Sequence, residues 1–368
     1  MSAPAPRALL DRQAPTAFIL PTVVIILAFA VFPLLVSAYL TLVRFQLAPG
    51  GYLLTFIGWS NFRKLLFGSE QYHFLGTFSG VATWQWLLLA ALGVFLTVRL
   101  VRYALGPGAS VLGAIGRLIA GTALVAALAL CAATTGGTGR LGSLSVTLFY
   151  VVAGVTAQFL IGLGLAHLCT LPVRGRDFYR LVFFLPLMVT PVGIAYMFRM
   201  LADTTVGPLA PLWNAVGLRA TSWAADPWAA RIVVVIGDTW QWVPFMFIVL
   251  LAALEGQPRD QVEAAQIDGA NGWKIFRDIT WPSIAPVAAS VVLIRLIEAF
   301  KIVDLPNILT NGGPGIATES MTLHSFIAWR TLDLGGSAAV AYMLFFVATI
   351  GCVSFFQFVV RRARADTR

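Results

Sequence analysis

Ionisable and amide side chains stand inside two long apolar stretches of this sequence. An ionisable group near the middle of a bilayer costs roughly 2.5–3.5 kcal/mol on insertion scales, so such groups face a cavity or pair with one another. Carboxylates, amides and amines hydrogen-bond to hydroxyl groups, while aromatic rings stack on the apolar faces of a ligand. The two stretches therefore predict a polar chamber for a hydroxyl-rich ligand. Its predicted contact residues are Asp238, Gln241, Trp242, Phe245, Glu298 and Lys301.

The same charges also fit a structural role. Arg295, Glu298 and Lys301 follow one another at intervals of three, so on a helix they lie close to one face. Glu298 could neutralise either basic neighbour, and the charges would then join helices of this chain or bind a second membrane subunit. The role of Arg295 stays open between these readings. The basic residues suit an anionic ligand and the acids suit a neutral one, so the sequence does not name the ligand.

Composition identifies the environment that must position these residues. Of 368 residues, 59% are hydrophobic and 11% charged, whereas a soluble domain carries roughly a quarter charged residues. Lipid must therefore cover much of the surface. Helices are expected because the bilayer core offers no hydrogen-bond partner to a free backbone group. The sequence predicts an all-α polytopic membrane protein with about eight spans of about 20 residues. They lie near residues 17–43, 80–98, 118–136, 145–168, 181–201, 232–254, 284–305 and 337–360.

The net charge of +9 comes from basic residues spread between the apolar runs, which is typical of inner loops rather than of a nucleic-acid-binding patch. This pattern predicts that both termini are cytoplasmic. Arg7 and Arg12 precede an uncharged run that is too long for a cleaved signal, so it is expected to stay as the first span. The histidines, His73, His167 and His324, are far apart in sequence, and no metal site is predicted from them.

The longest predicted inner loop between spans, residues 256–282, has the signals of a helix, a turn and a second helix. Pro258 suits the first turn of a helix, and Gly269 is a natural stop because glycine accepts left-handed backbone angles. Asn271 is suited to cap a second helix, which Pro282 is expected to end. Such a helical elbow fits a partner protein, or it is an amphipathic surface helix without one.

The elbow resembles the EAA loop of binding-protein-dependent ABC importer permeases. Glu263-Ala264-Ala265 is followed by Gly269 and then by Ile279-Thr280-Trp281-Pro282. The usual ending is Ile-x-Leu-Pro, so Trp281 is a departure. In that family the loop is the coupling helix that sits in a cleft of the ATP-binding subunit. The resemblance carries this role to five positions, which are Glu263, Ala264, Ala265, Asp268 and Gly269.

The resemblance covers residues 145–362 and, more weakly, 17–66. Arg174-Gly175-Arg176 resembles the family's entry to the core, and Leu309-Thr310-Asn311-Gly312-Gly313-Pro314 is similar to a segment of the sugar-permease branch, which includes the maltose and glycerol-3-phosphate systems. The resemblance implies a type I importer core plus two extra helices. It also implies that the helices carrying the chamber residues named above supply sugar contacts. The implied division is 1–66, an inserted pair of spans in 67–142, the core 143–362 and a tail 363–368. The inserted pair would pack peripherally in lipid or bind an accessory protein.

The resemblance implies a non-catalytic membrane subunit of a bacterial cell-membrane importer. No Gly-x-x-x-x-Gly-Lys-Ser/Thr loop is present, so ATP and Mg are expected on a separate ATPase. The implied partners are a second permease, two ATP-binding subunits, an extracytoplasmic solute-binding protein, membrane lipid and a sugar substrate. An ion-driven transporter that uses Asp238 and Glu298 as proton sites is an alternative. A membrane-embedded glycosyltransferase using Glu70, Asp203 and Asp226 is another, but neither requires the EAA loop.

Overall fold

The computed structural model describes residues 18–106, 110–135, 140–171, 175–217 and 225–366, without the side chains of 176 and 358–366. The predictions that rest on Arg7, Arg12, Arg174 and the basic side chains of the tail lie outside these described residues. The regular structure of the described residues is almost entirely helical. The all-α prediction is therefore confirmed.

The described helices and strands follow one another in a simple order. The helices are α1 Phe18–Leu40, α2 Ser60–Phe67, α3 Gln71–Phe74, α4 Thr83–Ala104, α5 Val111–Thr135, α6 Ser143–Thr170, α7 Arg176–Phe184, α8 Pro191–Ala202, α9 Ala210–Ala215, α10 Pro227–Glu255, α11 Arg259–Ile267, α12 Gly272–Ile275, α13 Trp281–Ala299, α14 Asp304–Thr310, α15 Met321–Arg330 and α16 Leu334–Asp366. The antiparallel strand pairs are β1 Val43–Ala48 with β2 Gly51–Phe56, and β3 Gly76–Thr77 with β4 Arg140–Leu141.

Among the described residues, 7 helices are long and apolar enough to cross a membrane, and a bent pair makes up to 8. The pair, Asp177–Met188 and Pro191–Ala202, meets at an angle of 100° where the sequence predicts one continuous span over 181–201. Proline explains the break, because the residue before Pro191 is pushed out of the helical region. Thr190 is extended there and its hydroxyl accepts the amide hydrogen of Gly193 at 3.3 Å, which starts a new helix.

The second helix of the elbow does not end at Pro282, contrary to the sequence prediction. The chain runs from α12 through a π-helical turn, Phe276–Thr280, directly into α13. A proline within a helix lacks one hydrogen-bond donor and its ring crowds the preceding turn. The wider π-turn immediately before Pro282 relieves that crowding, so helix 272–299 is one run. This run ends at Ala299, which places Lys301 beyond the predicted shared helix face.

The described residues form two compact units, one of residues up to 64 together with 325–342, and the other of residues 65–324 together with those from 343 onward. In the first unit, the Asn61 amide donates to the carbonyls of Thr41 at 2.8 Å and Val43 at 3.1 Å. The Tyr342 hydroxyl donates to the carbonyl of Leu34 at 2.6 Å. The division predicted from the family core, at residues 66 and 142, is a different one and stays a prediction.

In the second unit, α6, α10 and α13 pack around one apolar core. Its fully buried members include Met246, Phe247, Ile284 and Val291. Gly162 lets α6 approach α10 closely, because a Cβ added there would lie 2.6 Å from the Cβ of Met246. The inserted helices α4 and α5 pack on each other, but their apolar side chains are largely exposed. Lipid is the natural solvent for those surfaces.

Gly162→Ala is expected to lower the unfolding midpoint of the purified chain in detergent. The added methyl group has no room at the α6–α10 contact, and overpacking of this kind costs about 1–3 kcal/mol. Gly164→Ala is the matched control, because nothing lies within 4 Å of a Cβ added at that position of the same helix. An equal loss of stability in both variants would contradict a close helix contact at Gly162.

Candidate functional site

The elbow has the helix, turn and capped second helix that its sequence predicts. Pro258 precedes α11, Asp268 closes it, and Gly269 has a φ of +76°, a left-handed angle that glycine adopts without a side-chain clash. The Asn271 side chain accepts the amide hydrogen of Lys274 at 2.9 Å and caps the second helix. Proline, glycine and asparagine thus fix the elbow locally.

The predicted coupling residues divide between two faces of α11. Ala264, Ala265 and Asp268 line an open groove of about 650 Å³, which is also lined by Asp278, Ile279, Pro282 and Ser283. At 100° per residue, Glu263 lies on the other side of the helix. It is exposed there, and the nearby apolar side chain of Ile267 is 87% exposed. One face of α11 therefore faces its own chain and the other is open to a partner.

Trp281, which stands where the usual loop ending has leucine, packs the elbow against α6. Its ring meets Phe159 edge-on with centroids 6.3 Å apart, and it lies 6.4 Å from the ring of Phe276. Phe276 also meets His167 near the end of α6, at 6.2 Å between centroids. A large aromatic side chain at this position thus joins the elbow to a membrane helix.

A buried polar network joins the three core helices. The Gln158 amide on α6 donates to Asp238 Oδ2 on α10 at 2.8 Å, and Arg295 Nε on α13 donates to Gln158 Oε1 at 2.7 Å. Arg295 Nη2 forms an ion pair with the same Asp238 oxygen. The three side chains are almost fully buried. Each charge is therefore paired and hydrogen-bonded, as a charge in an apolar core must be.

Small and aromatic residues complete the surroundings of this network. The Arg295 guanidinium carbon lies 4.6 Å from the ring centroid of Trp242, a cation–π distance. Trp242 meets Phe245 edge-on at 6.0 Å. Gly154 stands where an added Cβ would lie 3.2 Å from Asp238 Oδ2. The sequence prediction omitted Gln158, and its signal was an amide in the middle of an otherwise apolar span.

The remaining predicted contact residues are placed differently. Glu298 and Lys301 form an ion pair at 2.7 Å, with side chains 38% and 57% exposed. Glu298 therefore neutralises Lys301, while Arg295 pairs with Asp238. Gln241 is buried on α10, one residue before Trp242. The substrate role of all six residues stays a prediction.

A second polar cluster brings together two of the histidines that the sequence treats as scattered. The rings of His73 and His324 stack with centroids 4.1 Å apart. His73 Nε2 donates to Glu319 Oε2 at 2.8 Å, and its Nδ1 lies 3.5 Å from Glu70 Oε2. Burial lowers the pKa of His73, but the hydrogen bond and charge of Glu319, together with Glu70, raise it overall. Folding alone brings these residues together, because they come from segments about 250 positions apart.

Comparison with known proteins identifies the family. A family model described as the inner membrane component of binding-protein-dependent transport systems matches residues 158–365. This chain belongs to that family. The match contains the Gln158–Asp238–Arg295 network and the whole elbow. It confirms the resemblance that the EAA loop predicted.

Curated relatives agree with this membership. The trehalose/maltose transport system permease MalF of Thermococcus litoralis is 31% identical over 200 residues, which is 54% of this chain and 68% of that protein. The sn-glycerol-3-phosphate transport system permease UgpA of Rhizobium meliloti is 30% identical over 229 residues, 60% of this chain and 76% of that protein. Each is named as a transport system permease.

Solved structures share the fold. One is a bacterial ABC transporter involved in the import of the acidic polysaccharide alginate, at a TM-score of 0.61 and 19% identity, covering 96% of this chain and 97% of that one. Another is a bacterial alginate ABC transporter in complex with a periplasmic protein that holds an alginate pentasaccharide, at a TM-score of 0.55 and 20% identity. It covers 60% of this chain and 78% of that one. The fold class of an ABC importer permease is thereby confirmed.

Asp238→Asn is expected to destabilise the chain strongly. It leaves the Arg295 guanidinium as an uncompensated buried charge, and breaking one partner of a buried pair costs about 3–5 kcal/mol. The measurement is the unfolding midpoint of the purified chain in detergent. Glu298→Gln is the matched control, because an exposed pair contributes about 0–1 kcal/mol.

The double variant Asp238→Asn with Arg295→Gln removes both charges, so part of the lost stability should return. If Asp238→Asn costs no more than Glu298→Gln, the buried pair does not hold these helices together.

Proposed function

We propose that this chain forms half of the translocation path of an ATP-driven importer for a sugar or sugar derivative. The support is its family membership together with the relatives, which are named for trehalose, maltose and sn-glycerol-3-phosphate transport. A second permease would supply the other half of the path, since such transporters alternate access between two membrane halves. An extracytoplasmic solute-binding protein would deliver the substrate, in keeping with the family description.

In this proposal the chain lies in a bacterial cell membrane with both termini and the elbow on the cytoplasmic side. The supporting observation is the excess of arginine and lysine in the loops on that side. Two ATP-binding subunits would bind ATP and Mg and meet the elbow of each permease. The exposed face of α11 offers them Glu263 and the exposed apolar side chain of Ile267. An ATP-binding subunit that covered this face would bury the side chain of Ile267.

The helices on both sides of the elbow carry the charged pair, and this observation supports coupling most directly. Helix α10 leads into the elbow and carries Asp238, while the helical run 272–299 leaves it and carries Arg295. A 28-residue helix is about 42 Å long and transmits a displacement of one end to the other. Motion of the elbow would therefore act on both partners of the Asp238–Arg295 pair at once.

Substrate contacts would come from both groups of predicted residues. Gln241, Trp242 and Phe245 lie on α10 beside the network, and Glu298 and Lys301 form the exposed pair near the end of α13. Aromatic faces and a mixed set of charged donors and acceptors suit a ring bearing hydroxyl groups. Asp238 would join them only when its bonds to Arg295 and Gln158 open.

The rival functions fit the geometry less well. A proton-driven transporter would need Asp238 to titrate, but its carboxylate holds Arg295 and Gln158. For a glycosyltransferase, Asp226 is occupied as the cap of α10, where it accepts the Ala229 amide hydrogen at 2.6 Å. Asp203 accepts amide hydrogens of Val206 and Thr205 and the Thr205 hydroxyl, which hold its pKa below the ordinary value. Both aspartates thus have local structural roles.

Glu263→Ala is expected to abolish the stimulation of ATP hydrolysis by loaded binding protein in the assembled complex in lipid. The change removes the charge from the open face of α11 while the elbow caps stay intact. Gln261→Ala is the matched control, since it truncates a polar side chain that faces the groove instead. Co-purification of the ATPase serves as the check on assembly.

If Gln261→Ala loses stimulation and Glu263→Ala keeps it, the groove is the coupling face. If neither variant changes stimulation, α11 does not couple the two subunits. If no ATPase co-purifies with the unaltered chain, the importer proposal itself fails.

Glu298→Gln is expected to raise the half-saturating concentration for uptake roughly tenfold or more, because a hydrogen bond to a charged group contributes about 1.5–3 kcal/mol. Uptake would be measured in proteoliposomes with a panel of maltose, trehalose and sn-glycerol 3-phosphate. Lys64→Met is the control, since it breaks another exposed ion pair, to Asp333 at 3.4 Å. Equal effects of the two changes would argue against a substrate contact at Glu298.

A further inference from the structure

The cluster around His73 and His324 is not used by the proposed transport function. It combines Glu70 and His73 from around α3 with Glu319 and His324 from the segment that begins α15. Glu70, His73 and His324 each offer one ligand atom, and these three atoms lie within 4.8 Å of one another. All of these residues belong to the second compact unit. Three possible donors from two distant segments thus lie close together.

The buried carboxylate of Glu319 calls for a compensating positive charge beside the cluster. Its side chain is 4% exposed and its Oε1 atom is buried without a hydrogen-bond partner, 3.9 Å from His324 Nδ1. Burying a carboxylate is costly unless a positive charge or hydrogen bonds compensate it. The cluster holds two carboxyl groups, Glu70 and Glu319, so a divalent cation bound there would have counter-charges beside it.

The contacts behind the histidines resemble the outer shell of a metal centre. A metal-bound histidine usually has its other ring nitrogen held by a carboxylate or another polar group. Glu319 Oε2 holds Nε2 of His73 at 2.8 Å, so Nδ1, 3.5 Å from Glu70, is the nitrogen directed toward a ligand. The Ser143 hydroxyl shares a hydrogen bond of 3.1 Å with His324 Nδ1. These contacts fix ring orientation on both histidines.

We propose that Glu70, His73 and His324 bind a divalent transition-metal cation of the Zn²⁺ type, with Glu319 and Ser143 as positioning residues. Two imidazoles and a carboxylate are a donor set that Zn²⁺ prefers. Ligands of a tetrahedral zinc ion are about 3.3 Å apart, so the donors must close by roughly 1.5 Å. Glu70, whose side chain is 32% exposed, is the donor that this closure would shift. The ion would tie the loop before the inserted helices to the segment that begins α15.

Zinc content and affinity test this proposal on the full chain in lipid nanodiscs. After treatment with a chelator, the protein is equilibrated with Zn²⁺, dialysed and analysed for zinc per chain. The unaltered chain should retain one zinc more than His73→Ala or His324→Ala. His167→Ala is the matched control, because it removes the remaining histidine, which packs on Phe276 instead. Replacement by Co²⁺ should give visible absorption bands in the unaltered chain and in His167→Ala only.

Two further variants keep the test informative if the alanine variants fold poorly. Glu70→Gln removes a ligand charge from a half-exposed position and should weaken binding at least tenfold in competition with a chelating dye. Glu319→Gln should weaken it about 10–100-fold while the zinc count at saturation stays the same, as for a positioning residue. Zinc should also raise the unfolding midpoint of the unaltered chain.

Equal zinc content in the unaltered chain, His73→Ala and His324→Ala would overturn the proposal. The proposal would also be overturned if the unfolding midpoint of the unaltered chain responds to pH but not to Zn²⁺, because a protonated His73 would then be the compensating charge. The proposal does not depend on the transported substrate or on coupling to an ATPase.

Discussion

The fold of the second unit depends on one requirement, that a buried arginine and aspartate be neutralised together. Asp238 and Arg295 stand on different helices and are both buried, so neither charge is tolerable alone. Gln158 on a third helix bonds to both and leaves little freedom in how the three helices rotate about their axes. Glycine at position 154 keeps space beside Asp238, and glycine at position 162 lets the same two helices approach closely. The network therefore adds directional hydrogen bonds to the apolar packing of these helices.

This requirement also explains why the elbow is mechanically connected to the membrane helices. The charged partners belong to the two helices that flank the elbow, and a π-turn keeps the second one continuous through Pro282. Trp281 and Phe276 fasten the same junction to α6, and Arg180 pairs with Glu255 at the end of α10. The junction is therefore packed against its own chain on one side and exposed on the face of Glu263.

Local signals in the sequence predicted much of the elbow and the number of spans. Pro258, Gly269 and Asn271 each act on the backbone within a few residues of their own position. Their effects in the fold could therefore be predicted from the sequence. The errors concern proline. Pro282 was expected to end a helix, yet the preceding π-turn absorbs it, and the span over 181–201 bends by 100° at Thr190 and Pro191. Whether a proline breaks a helix depends on hydrogen bonds that neighbouring turns form, which a local pattern does not contain.

By itself, the sequence determined the membrane environment, the helical class and the EAA loop, because these follow from composition and from short-range backbone preferences. Only the tertiary structure decided which charges meet. Arg295 was placed beside Glu298 by spacing, but it pairs with Asp238, and Gln158 joins them although no sequence pattern links residues 158, 238 and 295. His73 and His324 likewise stack only after folding. The physical reason is that pairing energies depend on distance and burial in three dimensions, whereas spacing along the chain limits only neighbours within a few turns.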